Sequence, residues 1–171
     1  SKLPICAILN DQVFVVHGGV SALIESREQL LKIKKVGEDF TSEDSVQAEF
    51  LWSDPQIDYL QYEPSPRGIG CLFGQNALNE FLEKMQLIQV IRGHQNEMDG
   101  YNYPFDKEGR ILTVFSSIDY CGMLNDAAVA ILNDKDNSLK LEIETFRLLP
   151  KKCYTKMRIV LPEEILLSSH E

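Results

Sequence analysis

Short apolar runs punctuated by Gly, Asn and Asp dominate the chain. Ile5–Leu9 and Val13–Val16 flank Asn10-Asp11-Gln12, which predicts a strand, a turn and a second strand. The second run ends in His17-Gly18-Gly19. Ser21 is then placed to cap a helix carrying Leu23, Leu30, Leu31 and Ile33. Residues 37–48 read as an acidic loop, and Trp52-Ser53-Asp54-Pro55 opens an irregular stretch reaching Pro66-Arg67-Gly68. Ala77, Leu78, Phe81, Leu82 and Met85 recur at helical spacing and predict an amphipathic helix over 75–85. Leu87–Ile91 reads as a strand ending in Gly93-His94, and Ile111–Phe115 as another feeding the loop 116–126. Ala127–Leu132, followed by alternating Leu139, Leu141 and Ile143, predicts a hairpin about an Asp/Asn-rich turn. From Pro150 the character changes: Lys151, Lys152, Lys156 and Arg158 precede Ile165-Leu166-Leu167, as in a solvated tail or a docking segment.

Composition narrows the class. The 171 residues are 44% hydrophobic and 25% charged, which is enough apolar content for a packed core and excludes global disorder. No apolar run is long enough for a transmembrane helix, and the start lacks a cleavable signal pattern. The net charge of −9 argues against nucleic acid or anionic membrane as the main partner. Cys6, Cys71, Cys121 and Cys153 are widely spaced and form no CxxC pair, so they read as reduced thiols of a cytoplasmic or nuclear protein. Because the chain opens without Met and runs at once into a strand, it reads as a piece of something longer.

Three features carry candidate chemistry. His17 and His94 each follow an apolar strand and adjoin glycine, whose freedom would let the backbone bend a ring over the sheet edge. Such a pair can bind one divalent transition metal, or be two ordinary loop histidines. His170, near the end of the tail, reads as inert. Arg67 stands between rigid Pro66 and permissive Gly68, set to clamp a phosphate or carboxylate or to make a surface salt bridge. Cys121, between Tyr120 and Gly122, reads as an accessible thiol, and Asp54-Pro55 beside the sole Trp52 as a helix or turn start.

Taken in order, these segments resemble the catalytic domain of the phosphoprotein phosphatases, the metal-dependent protein serine/threonine phosphatase family. The matching stretches are Leu3-Pro4-Ile5 with His17-Gly18-Gly19, Leu51-Trp52-Ser53-Asp54-Pro55, and Ser65-Pro66-Arg67-Gly68 with Phe73-Gly74. They continue through Gly93-His94-Gln95, Asp99-Gly100-Tyr101, and Phe115-Ser116 with Tyr120-Cys121-Gly122. The Ser-Pro-Arg-Gly form is nearer the 2A-like branch.

The resemblance implies an α/β (α+β) fold, the calcineurin-like metallophosphoesterase β-sandwich flanked by helices. It implies hydrolysis of phosphoserine and phosphothreonine in proteins with two divalent metal ions, Mn, Fe or Zn. His17 and His94 would be metal ligands, Arg67 would clamp phosphate oxygens, Tyr120 would line the pocket from the 116–126 loop, and Asp54 would be a supporting acid. Phosphoprotein substrates, and regulatory subunits, would be the partners. Where the family commonly has Ala-Pro-Asn, this chain reads Ser117-Ile118-Asp119, which adds a negative charge beside an anionic substrate.

A larger departure concerns the family's amino-terminal motifs, Gly-Asp-x-His-Gly, Gly-Asp-x-x-Asp-Arg-Gly and Gly-Asn-His-Glu. None of the ten glycines is followed by Asp, and no Asn-His pair occurs. The expectation is therefore that residues 1–149 form the carboxy-terminal half of such a domain, incomplete on its amino-terminal side, with 150–171 as a tail. Residues 1–171 alone are expected to lack turnover. A non-catalytic protein-binding module derived from a phosphatase, or a metallophosphoesterase for small phosphoesters, stand as alternatives.

Overall fold

The computed structural model describes residues 4–33, 45–105, 109–135 and 138–147. In chain order its first elements are β1 (Cys6–Leu9), β2 (Val13–Val16), α1 (Arg27–Leu31), α2 (Val46–Trp52), β3 (Asp54–Pro55), β4 (Tyr62–Pro64) and β5 (Cys71–Phe73). They are followed by α3 (Gln75–Met85), β6 (Gln89–Arg92), β7 (Tyr101–Asn102), β8 (Ile111–Val114), a 3₁₀ turn at Tyr120–Gly122, β9 (Ala127–Lys135) and β10 (Ser138–Phe146). The expectations for residues 150–171, Cys153 and His170 among them, lie outside the described residues.

Five strands form the central sheet in the order β1-β2-β6-β8-β7. The β1–β2 hairpin turns at Asn10 and Asp11, whose φ values of 48° and 56° suit short polar side chains. β2, β6 and β8 run parallel to one another, so their carboxyl ends lie along one side. Successive residues of these strands face two cores. Phe14, Val90 and Ile111 pack with α3, Phe50 and Phe73, whereas Val13, Ile91 and Leu112 pack beneath Ala130, Leu132, Leu141 and Ile143 of the β9–β10 hairpin. Burial on both faces explains why these strands read as unbroken apolar runs rather than alternating ones. The sheet thus lies between a helical layer and a second, two-stranded layer, as a sandwich flanked by helices requires.

α3 spans the residues its periodicity predicts and buries Ala77, Leu78, Phe81, Leu82 and Met85. It ends at Gln86, left-handed at φ 54°, whose N–H closes on the last carbonyls.

Three local expectations fail. The helix after Ser21 is only Arg27–Leu31 and is capped by Ser26; the Ser21 hydroxyl instead donates to the Glu49 carboxylate, a tertiary contact across 28 positions. Part of the stretch read as an acidic loop is α2, started by Ser45, whose hydroxyl accepts from the Ala48 N–H at 3.1 Å. The stretch from Asp54 to Pro64 is likewise not wholly irregular, since β3 and β4 border β5 in a small three-stranded sheet.

Candidate active site

β2 and β6 are parallel neighbours with Val15 opposite Ile91, so residues just past their carboxyl ends must meet. His17 follows β2 directly and His94 lies two residues beyond β6. The Gly93 N–H donates to the His17 carbonyl at 3.0 Å, and His94 Nδ1 lies 3.1 Å from His17 Nε2. Trp52, at the end of α2, sets its indole edge-on to the His94 ring at 5.3 Å.

The bend that aims His94 is in His94 itself, at φ 68°, and not in an adjacent glycine. Gly18 and Gly19 serve a different purpose. A Cβ on Gly18 would stand 2.5 Å from the Leu51 carbonyl carbon, and one on Gly19 2.3 Å from the Phe73 ring. Absence of side chains lets the end of α2 press onto the end of β2, with the Gly18 N–H donating to the Phe50 carbonyl at 2.7 Å.

That approach brings Asp54 beside the histidines. Asp54 is buried, and both its carboxylate oxygens accept from guanidiniums: Oδ1 from Arg92 Nη2 at 2.8 Å, Oδ2 from Arg67 Nε at 2.9 Å. It is thus a fixed anionic brace. Arg92 is wholly buried and also donates to the Gly18 and Ser53 carbonyls, Gln95 Oε1 and Thr113 Oγ1, which joins the ends of β2, β6 and β8 to the start of β3. Arg67 sits on a turn closed by the Gly68 N–H to the Ser65 carbonyl, with Pro66 inside it and Gly68 at φ 73°. It pairs with the buried Asp54 carboxylate and stands in the wall of a cavity of about 290 Å³ with Ser65, Leu72 and Gln95.

Burial holds the His94 ring down to about 4, only partly offset by the Asp54 charge and reinforced by the nearby arginines. At pH 7 it is neutral, so its Nε2, 4.0 Å from Asp54 Oδ1 and without a hydrogen-bond partner among the described residues, makes no ion pair there. Burial and Arg92 lower His17 too. Neutral imidazole is the ligating form, and two nitrogens 3.1 Å apart are spaced as neighbours on one ion bonded to each at about 2.1 Å. The pair fits part of a metal site. Among the described residues no group of three or more His, Cys, Asp or Glu is arranged to hold a metal, so further ligands would have to come from elsewhere.

Tyr120 is half-exposed on the 116–126 loop, with its ring edge-on to Phe115 at 5.3 Å and its N–H on Asn125 Oδ1. The histidine–arginine cluster draws its members from β2, α2, β3 and β6, whereas the Tyr120 contacts are within its own segment. Asp119, the added charge of this loop, accepts from the Leu124 N–H at 3.1 Å and so stabilises the turn. Cys121 is exposed, as expected, at φ 52°.

Sequence reasoning did not single out Arg92 or Gln95, nor the packing of Trp52 on His94. One signal was present for Arg92: a charged residue closes the otherwise apolar run before Gly93-His94, and a charge inside a buried strand demands a partner.

Neutral paired imidazoles and a braced guanidinium thus lie together at the carboxyl ends of parallel strands, where folds of this kind place ligand sites. Comparison with known proteins agrees. Residues 1–98 match the model of the calcineurin-like phosphoesterases. The chain is 37% identical over 134 residues to the serine/threonine-protein phosphatase 4 catalytic subunit of Kluyveromyces lactis, covering 78% of this chain and 42% of that protein. With the same subunit of Eremothecium gossypii the identity is 35% over 137 residues, covering 80% and 42%. A solved Saccharomyces cerevisiae protein serine/threonine phosphatase, described as similar to human phosphatase PP5, superposes with a TM-score of 0.66 at 30% identity, covering 86% of this chain and 48% of that one. The chain belongs to the calcineurin-like phosphoesterase family, in its phosphoprotein phosphatase branch. It spans 42% of the length of the curated relatives named here.

Proposed function

We propose that the protein hydrolyses phosphoserine and phosphothreonine in other proteins, with two divalent metal ions, Mn, Fe or Zn, held in part by His17 and His94. The observation that carries this reading is the braced arginine beside the imidazole pair. Asp54 takes Arg67 through Nε, which leaves the two outer nitrogens of the guanidinium free of that carboxylate for phosphoryl oxygens. Such a preset donor gains most where charge grows, on the oxygens of an in-line displacement. Bound metal ions supply Lewis acidity toward the phosphoryl oxygens and the attacking water. His17 and His94 would act as neutral ligands, with Trp52 packed on the His94 ring. The relatives are named catalytic subunits, which supports phosphoprotein substrates and regulatory subunits as partners.

The test is Arg67→Lys in the full-length protein, which keeps the charge but loses the forked donor geometry. Turnover of a phosphothreonine peptide should fall about 100-fold, the usual cost of one transition-state donor, with metal content unchanged. Near wild-type turnover would refute the role of Arg67, and absence of turnover in the wild type would favour the non-catalytic alternative.

A further inference from the structure

Arg92 has more partners than one ion pair needs, and two of them line the same cavity. Its Nη2 holds Asp54 at 2.8 Å, and its Nη1 donates to Gln95 Oε1 at 2.7 Å. A guanidinium has donors only, so Gln95 must present its carbonyl oxygen to Arg92. The planar carboxamide then turns its NH2 away from Arg92. Gln95 lies in the wall of the 290 Å³ cavity beside Arg67, and its only side-chain hydrogen bond among the described residues is the one to Arg92. The Gln95 N–H to the Gly93 carbonyl, at 2.8 Å, holds its backbone against the turn that carries His94.

One buried cation thus presets two donors on one cavity: the outer nitrogens of Arg67, through Asp54, and the amide of Gln95, directly. Bracing Arg92 requires only an oxygen, and the Gly18 and Ser53 carbonyls already supply that chemistry. A carboxamide adds N–H donors. From these placements we propose that Gln95 is a substrate-contacting residue whose NH2 donates to a phosphoryl oxygen held by Arg67. The proposal rests on the phosphatase reading above and extends it by one residue.

Gln95→Glu separates bracing from donation, because glutamate keeps an oxygen for Arg92 but has no N–H to give. Gln95→Met, of similar length, removes both. The probe is inorganic phosphate added to the full-length protein, read as the phosphate-dependent rise in Tm and as competitive inhibition of phosphothreonine peptide turnover. Wild type should be stabilised by phosphate, and Arg67→Lys should weaken that response. Gln95→Glu and Gln95→Met should each weaken apparent phosphate affinity about tenfold and raise KM for the peptide, the scale of one hydrogen bond to a charged group. Metal content should not change, and Gln95→Glu should keep its Tm in the absence of phosphate. Unchanged phosphate affinity in Gln95→Glu or Gln95→Met, with Arg67→Lys weakened, would overturn the role of Gln95 and leave the phosphatase reading standing. No phosphate response in wild type, or none lost in Arg67→Lys, would overturn both.

Discussion

Asp54→Asn sets two arginines against each other at one carboxylate. Arg92 has a fully buried side chain, whereas that of Arg67 is 43% exposed, and each donates to one oxygen of Asp54. Asparagine offers one acceptor oxygen and turns an N–H2 toward a guanidinium, so Arg92 is left in the interior without the carboxylate it touches. Removing one partner of a buried pair costs about 3–5 kcal/mol; the four other acceptors around Arg92 place this case near the lower end, about 3 kcal/mol. Arg67→Ala breaks a bond to the same carboxylate, but solvent screens it, and about 0–1 kcal/mol is expected. Catalysis should rank them differently, because Arg67→Ala removes the phosphate donor and should lower turnover at least 100-fold. The assay is urea unfolding of full-length variants, compared by midpoint at unchanged slope, beside turnover of a phosphothreonine peptide. If Asp54→Asn costs under about 1 kcal/mol, or Arg67→Ala as much as Asp54→Asn, then depth is not what makes this carboxylate matter.

Two further outcomes follow from packing and burial. Gly18→Ala should destabilise by about 1–3 kcal/mol, since its Cβ would meet Leu51 and Trp52 backbone at 2.5 and 2.6 Å and the end of α2 must shift; full stability by thermal melting would show that α2 yields freely. Burial pushes the Cys71 thiol up to about 12, with its hydrogen bond to Ser53 pulling the other way, so the thiolate is scarce below that pH and Cys71 stays unreactive from pH 7 to 9. In a Cys6→Ser/Cys153→Ser background, a thiol-reactive disulfide should titrate exposed Cys121 in the native protein and Cys71 only after unfolding. Two fast native thiols would contradict this.

Elements that bury a periodic face were legible in the residues: α3 by its apolar spacing, and β2, β6 and β8 by short apolar runs. α2 was not, because it buries only Ala48 and Phe50 and starts within an acidic stretch, so its hydrophobic period is too short to read. Ser21 looked like a cap because small hydroxylic residues favour caps, but a tertiary acceptor, Glu49, competed for its hydroxyl and won.

Local patterning along the chain alone places His17 and His94 each past a strand end. It also determines that Arg67 rides a rigid turn, because these follow from local backbone preferences and side-chain chemistry. The assembled fold brings the two histidines, 77 residues apart, to face each other, because β2 and β6 pair in parallel with one register. It also decides that Asp54 lies between two arginines. That placement requires the bare backbones of Gly18 and Gly19 to admit the end of α2, and the desolvation of Arg92 to demand a carboxylate there. Both are consequences of close packing in the interior, which no local pattern along the chain encodes.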